Sequence, residues 1–478
     1  MNRSTFSGLF GKAFSSLSLI AFVFIGSPAL IAQEGATVEI EEVTVTGSRI
    51  KRESINSASV ITTITSEEIE NSQALILADA LRMSTYNTFG SFGPTAGSSA
   101  MSNATISVRG LGSSRTLVLL DGRRMPGSPH LGGAGAVNIN MIPTVAVDRI
   151  EILADGASSV YGSDAIAGVI NVITKKHRSE WGGNITFGRS LQTNNDFGND
   201  ITTDFSVTGP LIDNVLSLGI RGSLYEQQAS TPQLAPAIDP NGVEHIRSLG
   251  FGGGGRTVDN NSEHYGFSLN YTAAEGHEFG FDYDNSHQEY DNTPEFNLET
   301  GEIIYPLGTR DSIESIWQSR RGQVNPRAGY AAEQEFDREW WALTYDGKWD
   351  FGTLAASLSF VDTQNNGRTL PLSVSERQLL QQMYDGTGDY EGITEEARRD
   401  LAEDTFLPRP ARPLESQQYT FDLRLDIPIQ DVVGDHNLVL GTQVIDGELK
   451  DGVFGLESGS PGAVQEQKMY SLFLEDNW

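Results

Sequence analysis

The sequence predicts a mainly β protein: an α+β domain of about 120 residues followed by an incomplete antiparallel transmembrane β-barrel of about ten strands. Three observations carry that expectation. Residues 148–175 hold two strand-like runs, 150–153 and 169–174, around a turn-rich stretch punctuated by Gly156, Gly162 and Gly168. Residues 177–478 repeat alternating segments close to ten residues long. The connections between those segments are short and long by turns.

Composition narrows the function classes. The 478 residues carry 33 Lys and Arg against 63 Asp and Glu, a net charge of -30, which argues against a nucleic-acid partner. The absence of cysteine excludes a disulfide framework and thiolate metal sites.

At the N-terminus, Arg3 and Lys12 precede an apolar run over 17–25 and a small-residue exit ending at Ala32. That is the pattern of a secretory signal peptide over 1–32, with a cut after Ala32 or Ala29. The run is far shorter than the roughly 20 residues of a spanning helix. A membrane location therefore requires strands.

Residues 33–57 form a tail in which β-branched and acidic residues alternate, with Glu42, Val43, Thr44, Val45 and Thr46 at its centre. Such a free strand suits addition to the edge of another protein's sheet; an ordinary first strand or a linker fits the same residues.

Residues 58–176 read as the α+β domain. A strand over 60–64 leads to Thr65-Ser66-Glu67-Glu68, a capping box at a helix start. A second helix is expected over 74–82, a loop over 86–103, and strands over 105–108 and 115–120 closed by an Asp121-Gly122 turn. A glycine-rich loop over 125–136 follows.

Beyond residue 177, strands are expected over 181–189, 201–208, 215–225, 264–272, 277–287, 340–349, 353–363, 419–427, 436–445 and 468–478. Trp340, Trp341 and Trp349 stand at strand ends, where an interfacial aromatic girdle lies. The connections 209–214, 273–276, 350–352 and 428–435 are short, and 190–200, 226–263, 288–339, 364–418 and 447–467 are longer. Periplasmic turns and extracellular loops sort in this way. Barrels with a plugged lumen have 22 strands and a spanning sheet must close, so further strands are expected beyond Trp478.

Four motifs fall in a familiar order: Val108-Arg109-Gly110, Leu119-Leu120-Asp121-Gly122, Asp148-Arg149-Ile150-Glu151 and Tyr161-Gly162. Together with the tail they resemble the plug domain of TonB-dependent outer-membrane receptors. The resemblance implies active import of a scarce nutrient, a ferric siderophore, haem, carbohydrate, cobalamin or peptide, across the bacterial outer membrane. It implies a TonB box at Glu42, Val43, Thr44, Val45 and Thr46, gripped by TonB and its inner-membrane proton-driven motor complex. Outer-membrane lipid is the implied surrounding, and no cofactor or resident metal is called for. Arg109, Arg149 and Glu151 are costly to bury unpaired and are expected to form a polar interface between plug and barrel. Phe89, Phe92, Arg123, Arg124 and His130 are the expected substrate-loop residues.

No phosphate-binding loop, His-Glu-x-x-His or Gly-x-Ser-x-Gly elbow is present, so the reading is not an enzyme. Asp282, Asp284, Asp291 and Glu295 read as solvated outer-loop carboxylates. A passive porin or adhesin barrel and a soluble secreted β-rich binding protein are the alternatives.

Overall fold

In the computed structural model, the described residues are 61–86, 105–125, 139–154, 165–175, 180–228, 259–291, 333–430, 434–451 and 463–477, single positions aside, with short pieces between them. The signal peptide over 1–32, the segment Glu42–Thr46, Phe89, Phe92 and His130 lie outside them.

The N-terminal domain is a five-stranded mixed sheet with two short helices. Its strands are β1 (Ile61–Thr65), β2 (Thr116–Leu120), β3 (Arg123–Arg124), β4 (Val147–Leu153) and β5 (Gly168–Thr174), in spatial order β1-β4-β5-β2-β3. The pairs are antiparallel except β2–β5, which is parallel. Helix α1 (Ser66–Asn71) starts on the expected capping box: Thr65 Oγ1 accepts from the Glu68 amide at 3.2 Å, and Glu68 accepts from the Thr65 amide at 2.8 Å. Helix α2 (Leu77–Arg82) begins three residues later than expected and buries Leu77, Ala78, Ala80 and Leu81. The expected strand over 105–108 reduces to an isolated bridge at Val108, although its four side chains are buried. Gly168 sits at φ +151°, where a Cβ would stand 2.4 Å from the Leu153 carbonyl oxygen; only glycine lets β5 start this close to the end of β4.

All ten expected long strands form. They are β6 (Gly182–Ser190), β7 (Asp200–Ile212), β8 (Leu216–Gln227), β9 (Asp259–Ala274), β10 (His277–Asp291), β11 (Glu333–Trp349), β12 (Gly352–Thr369), β13 (Ala411–Ile429), β14 (His436–Asp451) and β15 (Ala463–Asn477). Each pairs antiparallel with its sequence neighbours in one ten-stranded sheet whose edges are β6 and β15. The short turns fall at 213–215, 275–276, 350–351 and 430–435, all at one end of the sheet.

Most strands run past their expected outer ends. On β10 the outer-face residues change from Phe279, Phe281 and Tyr283 to Asn285, His287 and Glu289; on β11 they change from Leu343 and Trp341 to Glu339, Asp337 and Glu335. Alternation of apolar with polar therefore stops well before hydrogen bonding does.

The sheet is inverted relative to a water-soluble one. Its exposed face carries Phe187 (73% exposed), Tyr470 (75%) and Leu472 (89%), while its buried face carries Asp204, Arg221, His264, Asp284, Ser286 and Arg338. Apolar outside and polar inside is the pattern of a strand surrounded by lipid on one side. His277, Tyr345, Trp349 and Phe351 cluster at the turn end: the His277 ring lies 5.0 Å edge-on from Trp349, and Trp349 stacks at 6.1 Å on Phe351. Trp349 fits the expected girdle, but Trp340 does not. It lies on the inner face, 3% exposed, because its position in the alternation matches Arg338 and Ala342 rather than Trp341.

The connection 370–410 was expected to be loop and instead holds two helices, α4 (Val374–Asp385) and α5 (Glu395–Phe406), with the one-turn α3 (Ile313–Ile316) from the preceding long connection beside them. Leu380, Met383, Ala402 and Phe406 bury against Ile313, Ile316 and Trp317 in a separate small core. The capping box Ser373–Glu376 starts α4, and Gly386 at φ +64° ends it.

The inverted sheet makes a depth-dependent prediction. Leu343→Arg, in the middle of the outer face of β11, should lower stability by about 2–4 kcal/mol, and Glu339→Arg, beyond the apolar band, by no more than about 1 kcal/mol. Guanidinium unfolding of the lipid-reconstituted protein measures both; equal effects would contradict a lipid-facing surface.

Candidate functional site

The inner face of β7–β11 is organised in cross-strand rows set by register. From the long-loop end inward they read Thr202–Tyr225–Ser262–Gln288–Phe336, then Asp204–Ser223–His264–Ser286–Arg338, then Ser206–Arg221–Gly266–Asp284–Trp340, then Thr208–Gly219–Ser268–Asp282–Ala342. Three hydroxyls, one amide and the Phe336 ring make the outermost row, and charge concentrates in the next three.

In the third row Arg221 and Asp284 meet across the width of β9. Arg221 Nε donates to Asp284 Oδ1 at 2.9 Å and Nη2 donates to Oδ2 at 2.6 Å, a two-pronged pair with both side chains under one-tenth exposed. Gly266, the β9 residue between them, makes the contact possible. A Cβ there would stand 2.2 Å from Asp284 Oδ1 and 3.0 Å from Arg221 Nε. His264 Nε2 lies 3.1 Å from the same Asp284 Oδ1, while its Nδ1 is 2.8 Å from Ser286 Oγ, which also accepts from Arg338 Nη2 at 3.4 Å.

The N-terminal domain reaches this wall through one hairpin. Leu119-Leu120-Asp121-Gly122 ends β2 in a tight turn with Asp121 at φ 50° and Gly122 at φ 77°, both left-handed, as an Asp-Gly hairpin turn requires. Asp121 is fixed from behind: its carboxylate accepts from the Thr174 amide at 2.9 Å and the Thr174 hydroxyl at 2.7 Å, and the Gly122 amide donates to Asn171 Oδ1 at 2.9 Å. The turn thereby delivers Arg123 to the wall. Arg123 Nη2 lies 3.3 Å from Asp282 Oδ2 and 3.5 Å from Asp121 Oδ2, and its guanidinium sits 5.0 Å from the centre of the Trp340 ring. Arg123, Arg221 and Arg338 thus face Asp121, Asp282 and Asp284, a balanced set in a buried place. A second link joins Thr144 Oγ1 to Asp204 Oδ2 at 3.5 Å; Asp204 is itself held by Ser223 at 2.5 Å and Thr202 at 3.3 Å.

Several expected positions move. Arg123 and Arg124 were expected on an outward substrate loop; they form a two-residue buried strand, with Arg124 donating to the Tyr161 carbonyl. Arg149 was expected to bridge domain and barrel, yet its ion pairs are to Glu151 and Asp148 in its own domain, both at 3.0 Å. Glu151 is buried; Arg109 is exposed at φ 55°, with its amide bonded to the Tyr86 carbonyl. Asp282 and Asp284 are wall residues and not loop carboxylates, because even-numbered positions of β10 face inward. The sequence reading did not single out Arg221, His264 or Arg338; an inward charge on successive strands is the signal that marks them. Among the described residues no group of three His, Asp or Glu side chains converges as a metal site.

The geometry is that of a small domain lodged on the polar face of an inverted sheet. The profile of the TonB-dependent Receptor Plug Domain matches residues 53–169, which include β1–β4, the Asp121-Gly122 turn and Arg123. Residues 53–169 are a plug domain of the TonB-dependent receptor family. The iron-regulated outer membrane virulence protein of Vibrio cholerae serotype O1 is 27% identical over 350 residues, 72% of this chain and 46% of that protein. The vitamin B12 transporter BtuB of the same species is 36% identical over 148 residues, 31% of this chain and 23% of its own length. Among solved structures, the siderophore receptor PirA from Acinetobacter baumannii superposes with a TM-score of 0.60 at 22% identity, covering 88% of this chain and 54% of PirA. The chain therefore spans about half, or less, of the length of the proteins it matches.

Removing one member of the charged row should be far worse than removing the pair. Asp284→Asn leaves Arg221 uncompensated and should lower stability by about 3–5 kcal/mol, whereas Arg221→Met with Asp284→Leu should recover most of that loss. Gly266→Ala should lower stability by about 1–3 kcal/mol by pushing the pair apart. Chemical unfolding in detergent of the receptor expressed from its whole gene tests all three; additive losses in the double variant would contradict the pairing.

Proposed function

We propose that this receptor performs active, TonB-driven import of a nutrient across the bacterial outer membrane, with a ferric siderophore or a cobalamin as cargo. The observation that carries this reading is the plug itself, held against a largely polar wall through Arg123–Asp282 and Thr144–Asp204 beside one apolar patch at Trp340, Ala342 and Val361. A plug held by a few polar links can move, because entering water solvates the charges it exposes. A passive porin needs no such domain. The cargo class follows from the siderophore and cobalamin receptors that the chain resembles. In this reading TonB captures the segment Glu42, Val43, Thr44, Val45 and Thr46 as an added strand, and the proton-driven inner-membrane complex supplies the pull. The exported chain resides in outer-membrane lipid, and it acts as a transporter, with no chemistry on its cargo.

Cells lacking the gene and complemented with its whole coding sequence should accumulate radioiron from ferric enterobactin or radiocobalt from cyanocobalamin, and a protonophore should stop it. Val45→Pro removes a main-chain donor from the captured strand and should cut uptake by about tenfold or more while leaving surface binding of the cargo intact. Uptake that ignores both the protonophore and Val45→Pro would favour a passive pore.

A further inference from the structure

The outer face of the sheet is not uniform at its turn end. One register row there runs from Leu216 on β8 through Tyr271, Phe279 and Tyr345 on β9–β11 to Ala356, Leu423, Thr442 and Leu472 on β12–β15. The row beyond it begins with His277 on β10 and ends in Leu354, Leu425, Leu440 and Leu474. Rings thus occupy β9–β11, and the strands on either side carry aliphatic or small residues. A girdle that only set the depth of the sheet in lipid would have no reason to favour three strands. The rings also form one continuous run. Tyr271 lies 6.4 Å from Phe279, Phe279 4.9 Å from Tyr345, and Tyr345 6.2 Å from His277. His277 is in turn 5.0 Å from Trp349, which lies 6.1 Å from Phe351. His277 Nδ1 is 2.9 Å from the Tyr345 hydroxyl, a contact that keeps the two rings within 19° of parallel. Tyr271, Phe279, Trp349 and Phe351 are each about half exposed.

The turns that border this patch are acidic. Glu275 and Asp350 are exposed in the turns that join β9 to β10 and β11 to β12, and Asp213 and Asp435 fall in two other turns at the same end. Against them the patch sets one lysine, Lys348, whose amide donates to the Gly276 carbonyl at 2.7 Å. Ring faces and an excess of carboxylate attract an ammonium and disfavour a purely anionic group. On this lipid-facing surface, we propose that the turn end of β9–β11 holds the headgroup of a phospholipid that carries an ammonium. The rings, with Glu275 and Asp350, take the ammonium, and Lys348 faces the phosphate. The acyl chains then run along Phe281 and Leu343 on the apolar band. A phospholipid without an amine brings the same phosphate and chains but nothing for the carboxylates to answer. The site needs only the outward face of the sheet, so it stands apart from the cargo and from the pull on the plug.

Native mass spectrometry of the receptor expressed from its whole gene reads the lipids it retains. After exchange into an equimolar mixture of phosphatidylethanolamine and phosphatidylglycerol with identical acyl chains, ethanolamine adducts should exceed glycerol adducts roughly fivefold. Tyr345→Leu with Trp349→Leu keeps the surface apolar and should bring that ratio to near one. Phe360→Leu with Tyr419→Leu removes an equally close pair of rings, 4.6 Å apart, from the long-loop side of the apolar band and should leave the ratio unchanged. Glu275→Gln with Asp350→Asn is confined to the turns and should lower the ratio by about twofold or more. Equal retention of the two lipids by the unaltered receptor, a preference that survives in the folded Tyr345–Trp349 variant, or an equal fall in the Phe360–Tyr419 variant overturns the site. Where the Tyr345–Trp349 variant does not fold, a preference that survives the turn variant overturns it.

Discussion

A strand in lipid with a polar inner face must have every inner charge answered by another charge or by hydrogen-bonding groups, because neither lipid nor a packed plug can solvate it. That constraint organises the wall described above. Arg221 finds Asp284 only because β8, β9 and β10 are in one register and Gly266 leaves the space between them open. A shift of one residue in any of these strands would turn the charges to the lipid side and the aromatic residues inward. The ion pair and the aromatic outer face therefore fix the same register from opposite sides of the sheet.

The plug inherits that arrangement. Its own sheet is held by ordinary apolar burial, with Ile150, Ile152, Ile170 and Leu119 almost wholly excluded from solvent. Its position on the wall depends on something narrower. The Asp121-Gly122 turn is bolted to β5 through Thr174 and Asn171, so Arg123 emerges at a fixed place and angle. The same carboxylate that orders the turn also faces Arg123, which ties the internal order of the plug to its hold on Asp282. Disturbing β5 would loosen the docking residue without touching it.

The strands were legible in the sequence because a membrane sheet writes two signals at once: alternation along each strand and parity of connection length between strands. Both survive in a single sequence, and all ten strands were found. What failed was the assignment of faces to particular residues. Trp340 and Trp341 are neighbours, and a sequence without register cannot say which one points inward; the structure sends Trp340 to the plug and leaves Trp341 outside beside Phe360. Asp282 and Asp284 were misread for the same reason: both fall inside the expected strand over 277–287, but only the register that sets Asp284 against Arg221 on β8 shows that they face inward. Arg149 and Glu151 show the converse: a correct intuition about buried charge, applied to two residues that satisfy each other. Helices α4 and α5 escaped notice because only one narrow apolar stripe on each is buried, against residues contributed by another connection.

This division between what is local and what is not applies also where the plug meets the wall. A seam where Ile142, Pro143 and Thr144 of the plug meet Ser223, Ser262 and Glu263 of the wall leaves no trace in either segment read alone, because Ile142-Pro143 is an unremarkable turn and Ser262 an unremarkable strand residue. The juxtaposition exists only where the fold brings them together. Deeper along the same wall the two surfaces agree in character, apolar with apolar at Val361 and charge with charge at Asp282.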